Sequence, residues 1–440
     1  MTDDLLSLAG EAIAQARKLG ADAAHAVAAD GRSTEISILD GKIEKLEQSE
    51  SRDISLKVYA GKSSATVSGS VLTPEAIRRL AEKALDMARR APPDPYAGVA
   101  DPGQIARDIP GLDLAADDLP DPKGVEALAR RAEAAGLGVA GVSKSAGAGA
   151  SRGETTLGVA ISNGFAQSYR RTGVGVSMSA IAGEGTAMQR DYDYSSAVHF
   201  ADLRDPETVG RTAGERVVKR LNPRKVKSQA APVIYDRRVA GSLIGHLLAA
   251  INGAAIARGT SFLKDMLGQR IFAPGMAIVE DPFIRRGLGS RPFDGEGLAC
   301  HRRNLIDDGV LTGWVLDLRS ARQLGLSPTG QGSRGGPTTS NVYLPAGPQS
   351  PEAQIAAIPQ GLYVMELLGS SINPVTGDYS RGASGFWIDN GELAYPVSEI
   401  TIAGNLKDMF QTIVPASNLE FRSSVNAPNC LVEGLTIAGV

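Results

Sequence analysis

The chain is poor in the residues that build metal and disulfide frameworks. Its 440 residues hold two cysteines, Cys300 and Cys430, and four histidines, His25, His199, His246 and His301. Two distant cysteines exclude a disulfide scaffold and fit a reducing compartment. Aromatic residues make up only 5%. No window approaches the about 18 uninterrupted apolar residues of a membrane-spanning helix, so none is expected. The opening Met1-Thr-Asp-Asp-Leu-Leu lacks a basic-then-apolar leader pattern, and a cytoplasmic location is expected. The formal net charge is −3, which makes no global electrostatic case for nucleic acid.

Glycine (51 residues) and alanine are abundant, and 42% of the chain is hydrophobic. This is a globular composition with tight turns and close backbone approaches. The length suggests about three domains. Residues 3–19 read as an amphipathic helix ending at Gly20. Strand-like runs follow on either side of Asp40-Gly41 and Ala60-Gly61. A helix capped at Thr73-Pro-Glu closes the first unit at about residue 92. Residues 93–119 are rich in Pro, Gly and Asp and read as a linker. Residues 120–228 repeat the order of helix, strands and helix, with no repeat at the residue level. The basic run Arg216–Lys227 stands at a helix end, where cations face the helix dipole.

Residues 229–440 read as one larger β-rich domain. It opens on a short strand, Pro232–Tyr235, and an apolar helix entered at Asp236. Leu243, Ile244, Leu247, Leu248 and Ile251 make its buried face. Ser242, His246, Ala249 or Ala250, and Gly253 form a small-residue stripe around one histidine, for which a core position is the plainer reading. Most of the remainder is turn-punctuated strand. Gly330–Pro345 reads as a long, functional or mobile loop. The fold class is therefore α+β: two helix-and-sheet units, then a mostly antiparallel C-terminal sheet or barrel carrying a buried helix.

Four constellations could carry chemistry. No histidines stand at ligand spacing, and adjacent Cys300 and His301 would point to opposite faces of a strand. A catalytic zinc site needs three protein ligands, which this chain does not visibly supply. Asp294 and Glu296, in Pro292-Phe-Asp-Gly-Glu-Gly297, are an acid/base candidate or a polar turn. Thr376–Gly385 contains Asp378, Tyr379, Ser380 and Arg381, where Asp378 and Arg381 could pair or grip a peptide terminus. Arg190–Tyr194 alternates acids and tyrosines and reads as a structured turn. Phosphate-loop and serine-elbow spacings are absent.

Several blocks resemble the TldD/PmbA family of bacterial metallopeptidases, in its PmbA (TldE) branch. They are Gly241-Ser-Leu-Ile-Gly-His-Leu247, Gly253–Leu263, Pro292–Gly297, Thr376–Trp387 and Pro396–Asn405, and the resemblance covers essentially the whole chain. It implies a pair of related subunits acting on peptides and unfolded proteins. The TldD-type subunit holds zinc through a His-Glu-x-x-x-His helix with a cysteine as a further ligand, the glutamate being the general base. Counted back from Gly259-Thr-Ser261, those motif positions fall here on Ile244, Gly245 and Ala249, or one residue on, at Gly245, His246 and Ala250. Neither register supplies a ligand pair or a base. The resemblance thus implies a non-catalytic partner of a TldD-type subunit, with no cofactor of its own and zinc on the partner. Asp294, Glu296 and Asp378–Arg381 would line a substrate cleft. A binding protein of the gyrase-modulator type and a metal-independent hydrolase around Asp378 and Arg381 are the alternatives. Whether the chain pairs with itself is left open.

Overall fold

The structure is a computed structural model that describes residues 2–440, with side chains described from Asp4 onward. Its first half contains α1 (Thr2–Lys18), β1 (Ala23–Leu39), β2 (Lys42–Ala60), β3 (Ser63–Gly69) and α2 (Pro74–Arg90). Next come α3 (Pro122–Leu137), β4 (Val142–Ile161), β5 (Ala166–Ala182), β6 (Gln189–Ala197) and α4 (Pro206–Lys219). The caps follow the local chemistry: Thr73, Asp121 and Asp205 each accept a backbone N–H from the first turn of their helices. Asp40 and Gly41 both have positive φ, as a two-residue turn between twisted strands requires.

The two expected sheet units are joined. Six strands form one sheet in the order β3-β2-β1-β4-β5-β6, because β1 pairs antiparallel with β4 from His25↔Ile161 to Ile38↔Ala148. The strands are also longer than the alternation pattern suggests. β1 begins at Ala23 and β4 at Val142, well ahead of the strand-like runs Thr34–Leu39 and Thr155–Ile161 that the sequence shows. The missed parts are rich in Ala, Gly and Ser, residues of low strand propensity. Packing decides in their favour. Ala24, Ala26 and Ala28 of β1 are fully buried with Ala9, Ala12 and Ala16 of α1. A Cβ on Gly158 would lie 2.9 Å from the backbone of Leu5, so this glycine lets α1 rest on the sheet.

The second half contains β7 (Gln229–Tyr235), α5 (Arg237–Ala250), α6 (Gly253–Ala257), β8 (Ile278–Asp281), β9 (Arg303–Asp307) and β10 (Val310–Leu311). It continues with α7 (Leu318–Leu324), β11 (Gly332–Ser333), β12 (Gly336–Pro337), β13 (Asn341–Tyr343) and α8 (Pro351–Ala356). The last elements are β14 (Gln360–Ile372), β15 (Asp378–Asp389), β16 (Glu392–Asn405), α9 (Leu406–Thr412), β17 (Val414–Pro415), β18 (Val425–Asn426) and β19 (Cys430–Ala438). Strands β16-β15-β14-β7-β19 form a sheet that closes on itself, because β16 also pairs with β19 at Thr401↔Ala438. All pairings in this barrel are antiparallel except β7 with β14. Closure removes the free edges of a sheet. A five-stranded sheet, β10-β9-β8-β13-β18, lies alongside in the same domain. Helix α5 shares one large core with both: Leu243, Ile244, Leu247 and Ile251 are fully buried together with Tyr235, Ile306 and Val342.

Two expectations are corrected here. Gly330–Pro345 is not a loop without structure of its own. It supplies the β11–β12 hairpin and the β13 strand, and Gln331, Gly332, Ser340 and Asn341 are buried. A Cβ on Gly330 would sit 2.1 Å from the carbonyl oxygen of Ala299. The second correction concerns Arg190–Tyr194, which is strand β6 and not a turn. Its alternation puts Asp191 and Asp193 on one face, each 1% exposed.

Asp191 accepts from Arg238 Nη1 at 2.7 Å and from Arg220 Nη1 at 3.2 Å. Asp193 accepts from Arg204 (2.8 Å), Arg216 (3.0 Å) and Arg422 (2.8 Å). Arg204 precedes α4, Arg216 lies in α4 and Arg220 caps it. Arg238 opens α5, and Arg422 lies between β17 and β18. The basic side chains Arg216 and Arg220 therefore serve buried aspartates, in addition to standing at a helix end. Burial penalises both carboxylates, but the guanidiniums outweigh it and hold their pKa values below the ordinary aspartate range.

The 93–119 segment is nearly devoid of regular structure but is pinned in place. Arg322 donates to the carbonyls of Tyr96 and Val99, Arg319 pairs with Asp94 at 2.7 Å, and Ala106 N donates to Gly297 O at 2.8 Å. Asp113 meets Arg285 and Arg286 at 2.7 and 2.6 Å. The segment therefore straps the six-stranded sheet to the C-terminal domain.

Removing Asp191 takes from Arg238 its 2.7 Å carboxylate partner and leaves Arg220 with Glu366 alone, their side chains being 4% and 8% exposed. Asp191→Ala is expected to lower unfolding free energy by about 3–5 kcal/mol, read from denaturant unfolding. The sign with pH follows from the depressed carboxylates. Their contribution is present above the unfolded value, near pH 4, and is lost as pH falls through the folded values. Acid unfolding of Asp191→Ala should be correspondingly shallower below pH 4.

Candidate functional site

Helix α5 carries the region singled out from the sequence. Asp236 caps it by accepting from Arg238 N at 2.8 Å. Ile244 and Ala250 face the core, Ala249 faces solvent, and a Cβ on Gly245 would meet nothing within 4 Å. His246 stands between these faces. Its Nε2 is buried without a hydrogen-bond partner, and its ring meets the Tyr379 ring edge-on, with centroids 5.8 Å apart. Burial, assisted by the charge of Arg381, lowers its pKa. The Tyr235 hydroxyl donates to that of Tyr379 at 3.3 Å, and burial raises the pKa of both. Cys430 lies opposite Tyr235 in the β7–β19 pairing. Full burial pushes its thiol up to about 12, so it is not a ready thiolate ligand.

Strand β15 supplies the remaining candidates. Tyr379 and Arg381 are two residues apart and share the face that meets His246. Asp378 is three residues from Arg381 and on the opposite face, and the two form no pair. The Asp378 carboxylate instead accepts from Thr376 Oγ1 at 2.6 Å and from Asn405 Nδ2 at 3.1 Å. These bonds hold its pKa low. Asn405 also caps α9, so Asp378 ties the start of β15 to the end of β16. Tyr379 is 2% exposed, and Ser380 is half-buried.

Asp294 and Glu296 belong to another part of the molecule. Asp294 is 1% exposed and accepts from the backbone N–H groups of Glu296, Leu298 and Gly332 at 2.8–2.9 Å. It organises the 294–298 turn and locks the β11–β12 hairpin onto it. Burial raises its pKa against these donors. Glu296 Oε2 accepts from Leu318 N, the first residue of α7, at 2.8 Å. Burial, then the neighbouring Asp294, pushes the Glu296 carboxyl up to about 8. Glu296 faces a cavity shared with His25, Lys57 and Tyr59 of the N-terminal sheet. None of its hydrogen bonds reaches 378–381, and none of those four residues lines this cavity. Sequence reasoning missed His25, Lys57 and Tyr59, because only the sheet-to-domain contact brings them to Glu296.

The residues on α5 do not fit a zinc site. Ile244, Gly245, Ala249 and Ala250 carry no donor atom in their side chains, and His246 Nε2 is a single donor with aromatic neighbours. Among the described residues, no three His, Cys, Asp or Glu side chains converge as a metal-binding group.

A six-stranded sheet with paired helices, strapped to a closed barrel that buries a helix at a site face, defines a three-part α+β protein. Three family models match successive stretches of the chain. Those described as PmbA/TldA metallopeptidase domain 1, central domain and C-terminal domain match residues 26–88, 114–221 and 228–439. The chain belongs to the PmbA/TldD metallopeptidase family. It is 39% identical over 438 residues to metalloprotease PmbA of Escherichia coli O157:H7, covering 98% of this chain and 96% of that one. A PmbA homologue of Haemophilus influenzae is 36% identical over 97% of this chain and 94% of its own. Among solved structures, a Bacteroides thetaiotaomicron protein described as a candidate modulator of DNA gyrase superposes with a TM-score of 0.94. It is 28% identical, with both chains fully covered. TldE from Thermococcus kodakarensis shares the fold, with a TM-score of 0.88 at 22% identity over 98% of this chain and all of that one. No helix among the described residues is long and apolar enough to cross a membrane.

The raised Glu296 pKa has a stability consequence. The folded state holds a proton there that the unfolded chain releases above about pH 4.3. The associated stability is complete below that value and is lost as pH rises to about 8. Glu296→Gln keeps an acceptor for Leu318 N and removes this titration. The variant should gain on the wild type by a few kcal/mol between pH 5 and pH 8.5, read from chemical denaturation across that range.

Proposed function

We propose that this chain is the non-catalytic subunit of a cytoplasmic two-subunit peptidase of the TldD/TldE type, acting on peptides and unfolded proteins. One observation carries the reading: α5 presents one histidine flanked by Ile244, Gly245, Ala249 and Ala250, where a catalytic subunit needs a ligand pair and a base. The scaffold around that helix is intact and well packed, while the donor set on it is empty. Zinc and the water-activating base are assigned to a TldD-type partner. This chain's share is the face formed by His246, Tyr379 and Arg381 with the neighbouring Asp378 and Ser380. There Arg381 offers a positive charge to a peptide carboxylate, beside the packed rings of His246 and Tyr379. The absence of an Asp378–Arg381 pair argues against a metal-independent hydrolase at those residues.

A second reading is a modulator that binds another complex. It is favoured by the description of the Bacteroides structure as a candidate modulator of DNA gyrase. The net charge of −3 favours a protein partner over direct contact with DNA.

Metal analysis and peptide-cleavage assays on the purified chain, alone and mixed with a TldD-type subunit, distinguish these readings. The isolated chain should carry zinc well below stoichiometry and cleave nothing, and cleavage should appear on mixing. Stoichiometric zinc together with cleavage by the isolated chain would overturn the proposal. Tight binding to a partner complex, with no effect on cleavage in the mixture, would favour the modulator.

A further inference from the structure

We propose that the cavity between β1, β2 and the 294–297 turn is a binding site for a small oxyanion, a carboxylate or a phosphate, held by Lys57 and Arg334. The cavity measures about 100 Å³. Water occupies about 30 Å³ per molecule in the liquid, so the space suits an anion of a few heavy atoms or a small cluster of waters. Its walls come from two domains. The N-terminal sheet contributes His25, Lys57 and Tyr59, and the C-terminal domain contributes Glu296, Ser333 and Arg334.

The charge inventory is one-sided. Lys57 and Arg334 form no ion pair among the described residues, and Lys57 Nζ lies 5.2 Å from the centre of the Tyr59 ring. His25 Nε2 is buried with no hydrogen-bond partner. Burial, then Lys57 and Arg334, push its pKa down to about 4, so the ring is neutral at ordinary pH. Glu296 faces the same space and is predominantly protonated at neutral pH. The cavity thus joins two cations, neither in a direct ion pair, to His25 and Glu296, which can donate hydrogen bonds. Half-buried Lys57 and exposed Arg334 each lack an ion-pair partner among the described residues, and an oxyanion supplies one through charge-assisted hydrogen bonds. A metal cation would meet the reverse arrangement. Arg334 stands on the exposed tip between β11 and β12, while Asp294 locks the base of that hairpin. The tip is therefore placed to cover a ligand without the hairpin unfolding. Because the walls belong to both domains, a bound anion would also bridge them.

Isothermal titration calorimetry on the full chain, in a chloride-only buffer, tests the site with inorganic phosphate, acetate and glycine as separate probes. One saturable site per chain is expected for at least one probe. Saturation by phosphate alone assigns a phosphate, and saturation by acetate or glycine assigns a carboxylate. Lys57→Gln and Arg334→Gln, each checked for folding by circular dichroism, should each weaken binding by about tenfold or more. Arg334 is exposed, so its variant removes a charge without touching the core. Failure of every probe to saturate at millimolar concentration, or binding that either variant leaves unchanged, overturns the proposal.

Discussion

The packing of the two halves depends on two aspartates in one strand. Asp191 and Asp193 are buried on the same face of β6 and collect five arginines from α4, its flanks, α5 and the segment before β18. A buried carboxylate or guanidinium is tolerable only when it is paired or hydrogen-bonded. Each half therefore completes the other. Arg220 extends the network to Glu366 and Ser384 of the barrel. The cation–π contacts of Arg238 with Tyr192 and of Arg422 with Tyr194 line the same seam. The strap at 93–119 crosses elsewhere between the halves, so they are tied at two separate places.

This joint positions the two features that bear on function. Arg238 anchors the first turn of α5, whose far end presents His246 to Tyr379. On another side, the strap and the 294–298 turn bring the N-terminal sheet against Glu296. The first region is a familiar helix in a familiar barrel without the donors for a metal. The second is a small polar cavity that neither domain forms alone. The small-residue stripe on α5 reads differently once packed. It admits the edge of an aromatic ring at His246 and leaves Ala249 open to solvent, and it gathers no ligands.

Much of the architecture was legible from local pattern. The caps at Thr73, Asp121 and Asp236, the hairpins at Asp40-Gly41 and Asp389–Glu392, and the buried face of α5 follow from chemistry within a few residues. The strands that were missed, 23–33 and 142–154, are built of small residues whose strand character comes only from the helices laid against them. On α5 the sequence states directly which side chains carry no donor atom, namely those of the isoleucine, the glycine and the alanines. The arrangement on β15 was not legible, since Asp378 and Arg381 lie close in sequence but on opposite faces of the strand.

By itself, the sequence determined the class of fold, the family resemblance and the lack of ligands on α5, because these depend on residue identity and short-range spacing. Only the tertiary structure decided the rest. It merged two expected sheets into one through the β1–β4 pairing and closed the barrel through β16–β19. It also turned the Arg190–Tyr194 run into a buried charge cluster and placed Glu296 beside His25 and Lys57. Each of these is a contact between residues far apart in the chain. Such contacts depend on how packed elements meet, which no local pattern records.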